Sequence, residues 1–336
     1  MHLTALVDSP DHVCCRYRLA AFRSHFAQAK HVLEFQVLPR WWWNRLSDLS
    51  GLAGSGVIVQ RRLLSSPELW LLRRRFATLI FDFDDAVWLR DSYSAKGLRS
   101  ARRLRRFETM VRAMDLVIAG NEFLAAQARL FTEAHRVIVI PTCVDVKGYP
   151  LADHAQSSNV QLVWIGSAST LAGMERFADV LEKLGERVPG LSLKLICDRF
   201  FDLHKLSVHC REWSERTERT ELASADIGIA WMPDDDWSRG KCGLKVLQYM
   251  AAGLPVVANP VGVQAEMVQH GRTGFLAETP EQWHEAVQHL AADAALRSRL
   301  GHAGRQRLER EFSVTAGATL WQNTLERLDG SARKAG

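Results

Sequence analysis

The chain has 336 residues, of which 47% are hydrophobic and 24% charged, and its formal net charge is +5. At about 150 residues per domain, this length predicts two domains of an ordinary globular protein. No apolar run approaches the roughly 20 residues that a membrane-spanning helix needs, and residues 1–8 lack the features of a signal peptide, so we expect neither.

The cysteines and histidines show no spacing that is typical of metal binding. The six cysteines include no CxxC pair, and the twelve histidines form no HxxxH or HxH pattern. We therefore expect reduced thiols in a cytoplasmic protein, with no disulfide framework, no metal and no cofactor.

Short apolar runs alternate with helical patterns along almost the whole chain. Strands are predicted at residues 3–7, 34–38, 56–60, 78–83, 116–119 and 137–141 and, after a polar break at 152–159, at residues 160–166, 191–197, 227–232, 255–258 and 274–276. Such alternation is typical of parallel sheets flanked by helices. Two doubly wound units in tandem would place a cleft at the carboxyl ends of their strands.

Arginines are concentrated in the first third of the chain, at residues 61–62, 73–75 and 99–106. In the predicted helix 98–114, the arginines lie opposite an apolar face that consists of Leu104, Phe107, Val111 and Met114. Together with the tryptophans at 41–43, these clusters favour an anionic membrane surface, and not nucleic acid, as a partner of this half. For each cluster taken alone, a solvated helix face is the alternative.

Two groups of charged residues follow predicted strands of the first half. Arg16 and Arg18 come after the first strand, where they either contact a phosphate or only open the first helix. Asp84 and Asp85 directly follow the predicted strand 78–83. We favour a role for them in binding an acceptor hydroxyl or assisting its deprotonation. The alternatives are a divalent-ion site, a phosphatase nucleophile, and a structural role in capping or arginine pairing, for which Asp82 is best placed.

The segment 239–258 contains the strongest signal for ligand binding. Gly240 and Gly243 allow a loop to approach a ligand closely, and a helix is predicted from about Leu244 to residue 252. Gly253 suits the left-handed residue that ends such a helix, and Pro255 prevents its continuation.

The start of this helix is predicted to bind phosphate. Its free N–H groups favour an anion, and Arg239, Lys241 and Lys245 add positive charge at the same end. If the helix extends back far enough, Lys241, Lys245 and Gln248 share one face. The alternative is a surface helix with solvated lysines.

Residues 239–276 resemble the donor-binding region of the GT-B glycosyltransferases, in particular glycosyltransferase family 4. The glycine-rich turn, the run Ala-Ala-Gly-Leu-Pro-Val-Val at 251–257, the Val-Gly turn at Gly262 and the Gly-x-x-Gly at 271–274 follow in the order of that family. Residues 163–167 resemble the first strand and glycine loop of its second domain, residues 140–145 its interdomain Pro-x-x-Val-Asp, and the tail from 311 its terminal helix.

The resemblance implies an α/β protein of the GT-B class, with two doubly wound, Rossmann-like domains that face each other across a cleft. Residues 1–152 would form the acceptor-binding domain, to which a helix at about 314–330 returns, and residues 153–313 the donor-binding domain. Its implied activity is transfer of a sugar from a nucleotide diphosphate sugar to a glycan or lipid-linked acceptor, with retention and without a metal. The implied location is the cytoplasm, or the inner face of the cytoplasmic membrane as a peripheral protein. The alternatives are a non-catalytic sugar-nucleotide-binding or partner protein and a nucleotide-sugar epimerase.

The candidate site residues come from these motifs and from the two groups of charged residues in the first half, where the chain lacks the family's usual histidine and Gly-Gly loop. Catalytic roles fall to Asp84, Asp85, Lys241 and Lys245, donor-binding roles to Gly166, Ser167, Arg239, Gly240, Gly243, Leu244, Gln248 and Gly262, and acceptor or phosphate contacts to Arg16 and Arg18.

The chain departs from the family at two glutamates eight residues apart, which it replaces with Gly240 and Gln248. A glutamine can still bind a ribose hydroxyl, whereas a glycine has no side chain to offer. The Arg and Lys that usually follow the first glycine loop of the second domain are also missing from residues 167–174. We therefore predict that Lys241 and Lys245 bind the diphosphate instead.

Overall fold

The structure is a computed structural model that describes residues 1–39, 41–52 and 54–335, with the backbone alone at residues 42, 43, 46 and 329–335. The side chains of two tryptophans in the predicted membrane surface thus lie outside the described part. The chain divides into two units. The first comprises Met1–Cys143, Arg239–Cys242 and the C-terminal segment from Val314, and the second comprises Val144–Ser238 and Gly243–Ser313. The expected boundary was residue 152.

The first unit contains a six-stranded parallel sheet. Its strands are β1 (His2–Val7), β2 (Val32–Val37), β3 (Gly56–Gln60), β4 (Thr78–Phe83), β5 (Leu116–Ala119) and β6 (Val137–Val139), in the spatial order β2-β1-β3-β4-β5-β6. The connections run through α1 (Val13–Arg18), α2 (Arg23–Gln28), α3 (Trp42–Gly51), α4 (Ser66–Arg75), α5 (Ala101–Ala113) and α6 (Glu122–Arg129). The strand order reverses beside β1, and ligands of doubly wound sheets bind at the carboxyl ends of strands at such a point.

Helix α5 confirms most of the predicted apolar face. The Ser100 hydroxyl caps it by accepting from Arg103 N at 3.4 Å. Phe107 and Val111 are fully buried, as is Met114 just beyond the helix. Leu104, however, is 38% exposed, because residues 101–106 are exposed on every side of the helix and its core contacts begin only at Phe107.

The second unit contains another six-stranded parallel sheet. Its strands are β7 (Val160–Ile165), β8 (Leu191–Cys197), β9 (Ser207–Glu212), β10 (Ile227–Ala230), β11 (Val256–Ala258) and β12 (Gly274–Leu276), in the order β12-β11-β10-β7-β8-β9. Between residues 168 and 311 the helices are α7 (Ala168–Arg176), α8 (Ala178–Arg187), α9 (Glu218–Ala223), α10 (Asp236–Arg239), α11 (Leu244–Ala251), α12 (Val263–Met267), α13 (Pro280–Ala292) and α14 (Ala294–Glu311). The sequence did not predict β9, since this edge strand is polar and largely exposed.

The last helix, α15 (Val314–Ala335), belongs to the first unit. Its Trp321 and Leu325 are buried in the same core as Phe22 and Phe26, and the rings of Phe26 and Trp321 lie 5.5 Å apart. Both sheets thus have the doubly wound α/β organisation that the sequence predicts. No helix within the described residues is both long and apolar enough to cross a bilayer.

Candidate functional site

Three aspartates lie at the end of β4. Asp82 belongs to the strand, and Asp84 and Asp85 follow it. Asp82 is fully buried and pairs with the guanidinium of Arg18, which is 1% exposed. Arg18 also donates to the Ile140 carbonyl. This corrects the predicted phosphate contact of Arg18, because its donors are used inside the core. Arg16 is half-buried, with its guanidinium 5.3 Å from the centroid of the Tyr17 ring, and its phosphate contact stays a prediction.

Asp84 and Asp85 form a carboxylate cluster with two cations of the first unit, Arg61 and Lys241. Lys241 Nζ donates to Asp85 Oδ1 at 2.7 Å, and Arg61 donates to Asp85 Oδ2. Arg61 Nε also lies 3.4 Å from Asp84 Oδ1. Both carboxylates are about seven-eighths buried, with exposed fractions of 13% and 14%. The formal charges cancel within the cluster.

The two carboxylates differ in how their oxygens are satisfied. Both oxygens of Asp85 accept hydrogen bonds, whereas Asp84 Oδ1 is buried without a hydrogen-bond partner among the described residues. Burial by itself would raise the pKa of Asp85, but the charges of Lys241 and Arg61 outweigh it and lower that pKa. Asp85 is therefore ionised at neutral pH.

Asn121 and Gly120 hold the segment Arg239–Cys242 against the first unit. Asn121 caps α6 and donates through its side-chain amide to the Lys241 carbonyl at 3.0 Å. At Gly120 the backbone comes so close that a Cβ would lie 2.3 Å from Cys242 Sγ and 3.2 Å from Asp84 Cα. Burial first, and then the charge of Asp84, raise the pKa of the Cys242 thiol, so it remains protonated.

Sequence analysis did not single out Arg61 as a site residue. It directly follows β3, and β3 pairs with β4 so that Gln60 lies opposite Asp82. Because the carboxyl ends of neighbouring parallel strands meet at one edge, the order of the strands was the signal that could have identified it. That order follows from the topology, which local patterns did not reveal.

In the second unit, α11 begins as predicted after Gly243, which has the left-handed φ of 67° and offers no side-chain cap. A Cβ at this position would lie 2.5 Å from Met267 Sδ. We call Gly243, Leu244 and Lys245 the helix start, where backbone N–H groups and the helix dipole favour an anion. Gly253, with φ of 71°, ends the helix as predicted.

The two lysines of the donor prediction do not share a helix face. Lys241 precedes α11 and pairs with Asp85 in the first unit, because the helix begins only at Leu244. Lys245 lies in the second unit, with Nζ 5.1 Å from the centroid of the Trp164 ring. Arg239 is exposed and Gly240 buried, and both belong to the first unit.

Gln248 does not reach outward from α11. It is 4% exposed, and its amide donates to the Tyr149 hydroxyl at 3.4 Å. This geometry does not support the predicted ribose contact, because burial places the amide in the interior of the second unit.

Two other predicted glycines are at positions where no larger residue fits easily. A Cβ at Gly166 would lie 2.2 Å from the Trp164 ring, and the adjacent Ser167 is exposed and caps α7. Gly262 has φ of 54° and ψ of −138° and opens α12. Beside it, Asn259 exchanges hydrogen bonds with the Met232 backbone and thereby fixes the turn after β11.

Among the described residues, no group of three or more His, Cys, Asp or Glu side chains is placed to hold a metal ion. Metal-independent chemistry remains a prediction.

Comparison with known proteins finds a family match that lies largely within the second unit. Residues 154–293 match the family model described as glycosyl transferases group 1. The D-inositol 3-phosphate glycosyltransferase of Pseudarthrobacter chlorophenolicus is 27% identical over 210 residues, which are 55% of this chain and 49% of that protein. The human alpha-1,3/1,6-mannosyltransferase ALG2 is 35% identical over 116 residues, or 34% of this chain and 27% of ALG2. The chain thus spans half or less of the length of these curated relatives.

Solved structures share the fold over nearly the whole chain. Sucrose-phosphate synthase of Thermosynechococcus elongatus superposes with a TM-score of 0.78 at 16% identity, covering 98% of this chain and 100% of that one. Anabaena HepE in complex with UDP-glucose gives a TM-score of 0.68 at 14% identity, covering 97% and 100%. The chain therefore has the fold of these solved structures, and its residues 154–293 match the glycosyl transferases group 1 model.

Proposed function

We propose that this protein is a glycosyltransferase that moves a sugar from a nucleotide diphosphate sugar to an acceptor hydroxyl. The observation that carries this proposal is the group 1 match over residues 154–293, since that segment includes the helix start and the turn at Gly262. The HepE structure, which contains UDP-glucose, supports a nucleotide diphosphate sugar as the donor class. Transfer with retention and without a metal is part of the proposal.

We assign the donor diphosphate to the helix start. The departing nucleotide diphosphate develops negative charge, which backbone N–H groups and a nearby ammonium stabilise. Lys245 supplies that ammonium at the first turn of α11.

We assign the acceptor hydroxyl to Asp84. Asp84 Oδ1 lies 3.4 Å from Arg61 Nε but accepts no hydrogen bond among the described residues. A buried oxygen without a hydrogen bond costs about 1–3 kcal/mol, so a hydroxyl that donates to Asp84 Oδ1 recovers part of this cost. A carboxylate in that position then accepts the proton as the acceptor attacks. Asp85 has both oxygens engaged and acts as the counterion of Lys241.

The proposal is tested with the purified chain and the donors UDP-glucose, GDP-mannose and ADP-glucose. One nucleotide diphosphate at 100 times its Kd should stabilise the protein by about 2.7 kcal/mol, and its donor should be slowly hydrolysed. Asp84→Asn should keep the stabilisation but lose about 100-fold in turnover, whereas the exposed Asp48→Asn should change neither. Absence of stabilisation by UDP, GDP and ADP would contradict the proposal.

A non-catalytic sugar-nucleotide-binding protein is the second candidate. It is favoured by the positions of the two missing glutamates, where Gly240 has no side chain and Gln248 is buried against Tyr149. Stabilisation by a nucleotide without turnover of any of the three donors would support it.

We further propose that α4 and α5 form a peripheral contact with an anionic membrane, which favours a lipid-linked sugar as the acceptor. Trp70 is 61% exposed with Arg74 stacked 4.8 Å from its ring, and Arg102, Arg105 and Arg106 are exposed on α5. Flotation with phosphatidylglycerol vesicles should be lost in the triple Glu variant of these three α5 arginines. The matched triple Glu variant of Arg187, Arg216 and Arg299, which are exposed in the second unit, should still float.

A further inference from the structure

The residue after β3 has an unusual backbone. Arg61 has φ of 58°, in the left-handed region that a glycine adopts without strain and an arginine does not. Its N–H donates to the Asp82 carbonyl at 2.8 Å, which fixes this conformation at the edge of the sheet. A glycine would satisfy the backbone here, so the benefit of an arginine must come from its side chain.

That side chain contacts three groups from two other segments. The guanidinium donates to Asp85 Oδ2 and to Cys14 Sγ, and its Nε lies 3.4 Å from Asp84 Oδ1. Arg61 contacts both carboxylates of the cluster. A planar guanidinium can hold such a fixed arrangement, whereas an ammonium is a point charge on a flexible stem.

We infer that Arg61 is a positioning residue that holds Asp84 and Asp85 in a fixed arrangement and directs Asp84 Oδ1 toward the acceptor hydroxyl. This inference rests on the proposed transfer reaction. Arg61 acts through the carboxylates, because its own donors are directed at Asp84, Asp85 and Cys14.

The charges around Asp85 set the expected pH dependence. Arg61, Lys241 and His12 favour its ionised form and Asp84 is the other carboxylate of the cluster. The Cys14 and Cys242 thiols stay protonated, because burial raises the pKa of each. Loss of Arg61 therefore raises the pKa of Asp85, and activity that needs this carboxylate ionised falls at a higher pH.

The first test is a pH profile of UDP-glucose hydrolysis. In Arg61→Lys, kcat should fall about tenfold while KM for the donor changes less than about twofold, and the acid limb should move to higher pH. The acid limb should move equally in a His12→Gln background, which lacks that neighbouring imidazole. Arg62→Lys is the matched control, since Arg62 pairs with Asp8 in a more exposed position, and it should change none of these values.

Chemical rescue separates the guanidinium from the backbone. Arg61→Gly relieves the left-handed strain and leaves room for a free guanidinium ion, so added guanidinium at non-denaturing concentration should restore part of kcat. Arg62→Gly should show no such response. If the Arg61→Gly protein folds, keeps its kcat and does not respond to added guanidinium, the inference is overturned.

A second measurement does not depend on activity. The side-chain carboxyl carbon resonance of Asp85 in aspartate-labelled protein, assigned with Asp85→Asn, should titrate at a higher pH in Arg61→Lys and Arg61→Gly. Unchanged midpoints overturn the inference even in an inactive protein. If the titration midpoints shift in the Arg61 variants but kcat stays unchanged in an active enzyme, the inference is overturned as well. If the wild-type protein neither binds nucleotides nor turns over a donor, the proposed function has failed, and the positioning role falls with it.

Discussion

The carboxylate cluster of the first unit and the helix start of the second unit handle charge in opposite ways. In the cluster, side chains from three separate segments neutralise one another, and even Lys241 is already paired with Asp85. At the helix start, the positive end is formed by the backbone after Gly243, and no side chain caps it. The first arrangement depends on tertiary contacts between side chains, and the second on local backbone conformation.

The largest effect should come from breaking the buried pair beneath the cluster. Asp82→Ala leaves the Arg18 guanidinium charged and unpaired in the core, which should lower the free energy of unfolding by about 3–5 kcal/mol. Urea unfolding measures this change. Asp8→Ala breaks the more exposed pair with Arg62 and should cost less than about 1 kcal/mol. Equal costs for the two variants would show that burial does not distinguish these pairs.

In the second unit, the corresponding prediction concerns a glycine at which the backbone approaches a buried ring. Gly228→Ala places a Cβ 2.4 Å from the buried ring of Tyr249, whose hydroxyl joins the ends of β7 and β10. We expect a loss of about 1–3 kcal/mol in urea unfolding. Gly51→Ala, with no atom near its Cβ in α3, should be neutral. A neutral Gly228→Ala would mean that the ring moves aside freely.

A smaller effect is expected at the helix start. Lys245→Ala removes the ammonium near the first turn of α11 and should weaken binding of the stabilising nucleotide diphosphate about tenfold, or about 1.4 kcal/mol. Calorimetric titration measures this Kd. The exposed Lys183→Ala in α8 should leave the Kd unchanged. If Lys241→Ala weakened binding more than Lys245→Ala, diphosphate binding would depend mainly on Lys241.

The smallest effect concerns the pH dependence of stability. Asp85 has a lowered pKa in the folded protein, so its contribution is present above the unfolded pKa of about 3.9 and is lost as the pH falls through the folded pKa. Lys241→Gln removes one cause of the lowering, so this loss should begin at a higher pH. Urea unfolding between pH 3 and 7 measures the shift. Lys96→Gln, exposed in the first unit, is the control and should not alter the profile.

The same contrast explains what the sequence could predict. Periodicity and glycine positions predicted every strand except β9 and the start and end of α11, because these features depend on neighbours along the chain. The roles of Arg18 and Arg61 could not be predicted, since their partners Asp82, Asp84 and Asp85 are distant in sequence. The buried contact of Gln248 with Tyr149 could not be predicted for the same reason, because the two residues lie 99 positions apart in the sequence.

The return of α15 to the first unit affects the order in which the protein can fold during synthesis. The strands β1 to β6 leave the ribosome before α15, but their core also contains Trp321 and Leu325. Residues 144–238 and 243–313 of the second unit emerge in between and do not need α15 for their own sheet. The first unit is therefore completed only after the second unit has been synthesised, and its apolar surface around Phe22 and Phe26 stays uncovered until α15 emerges.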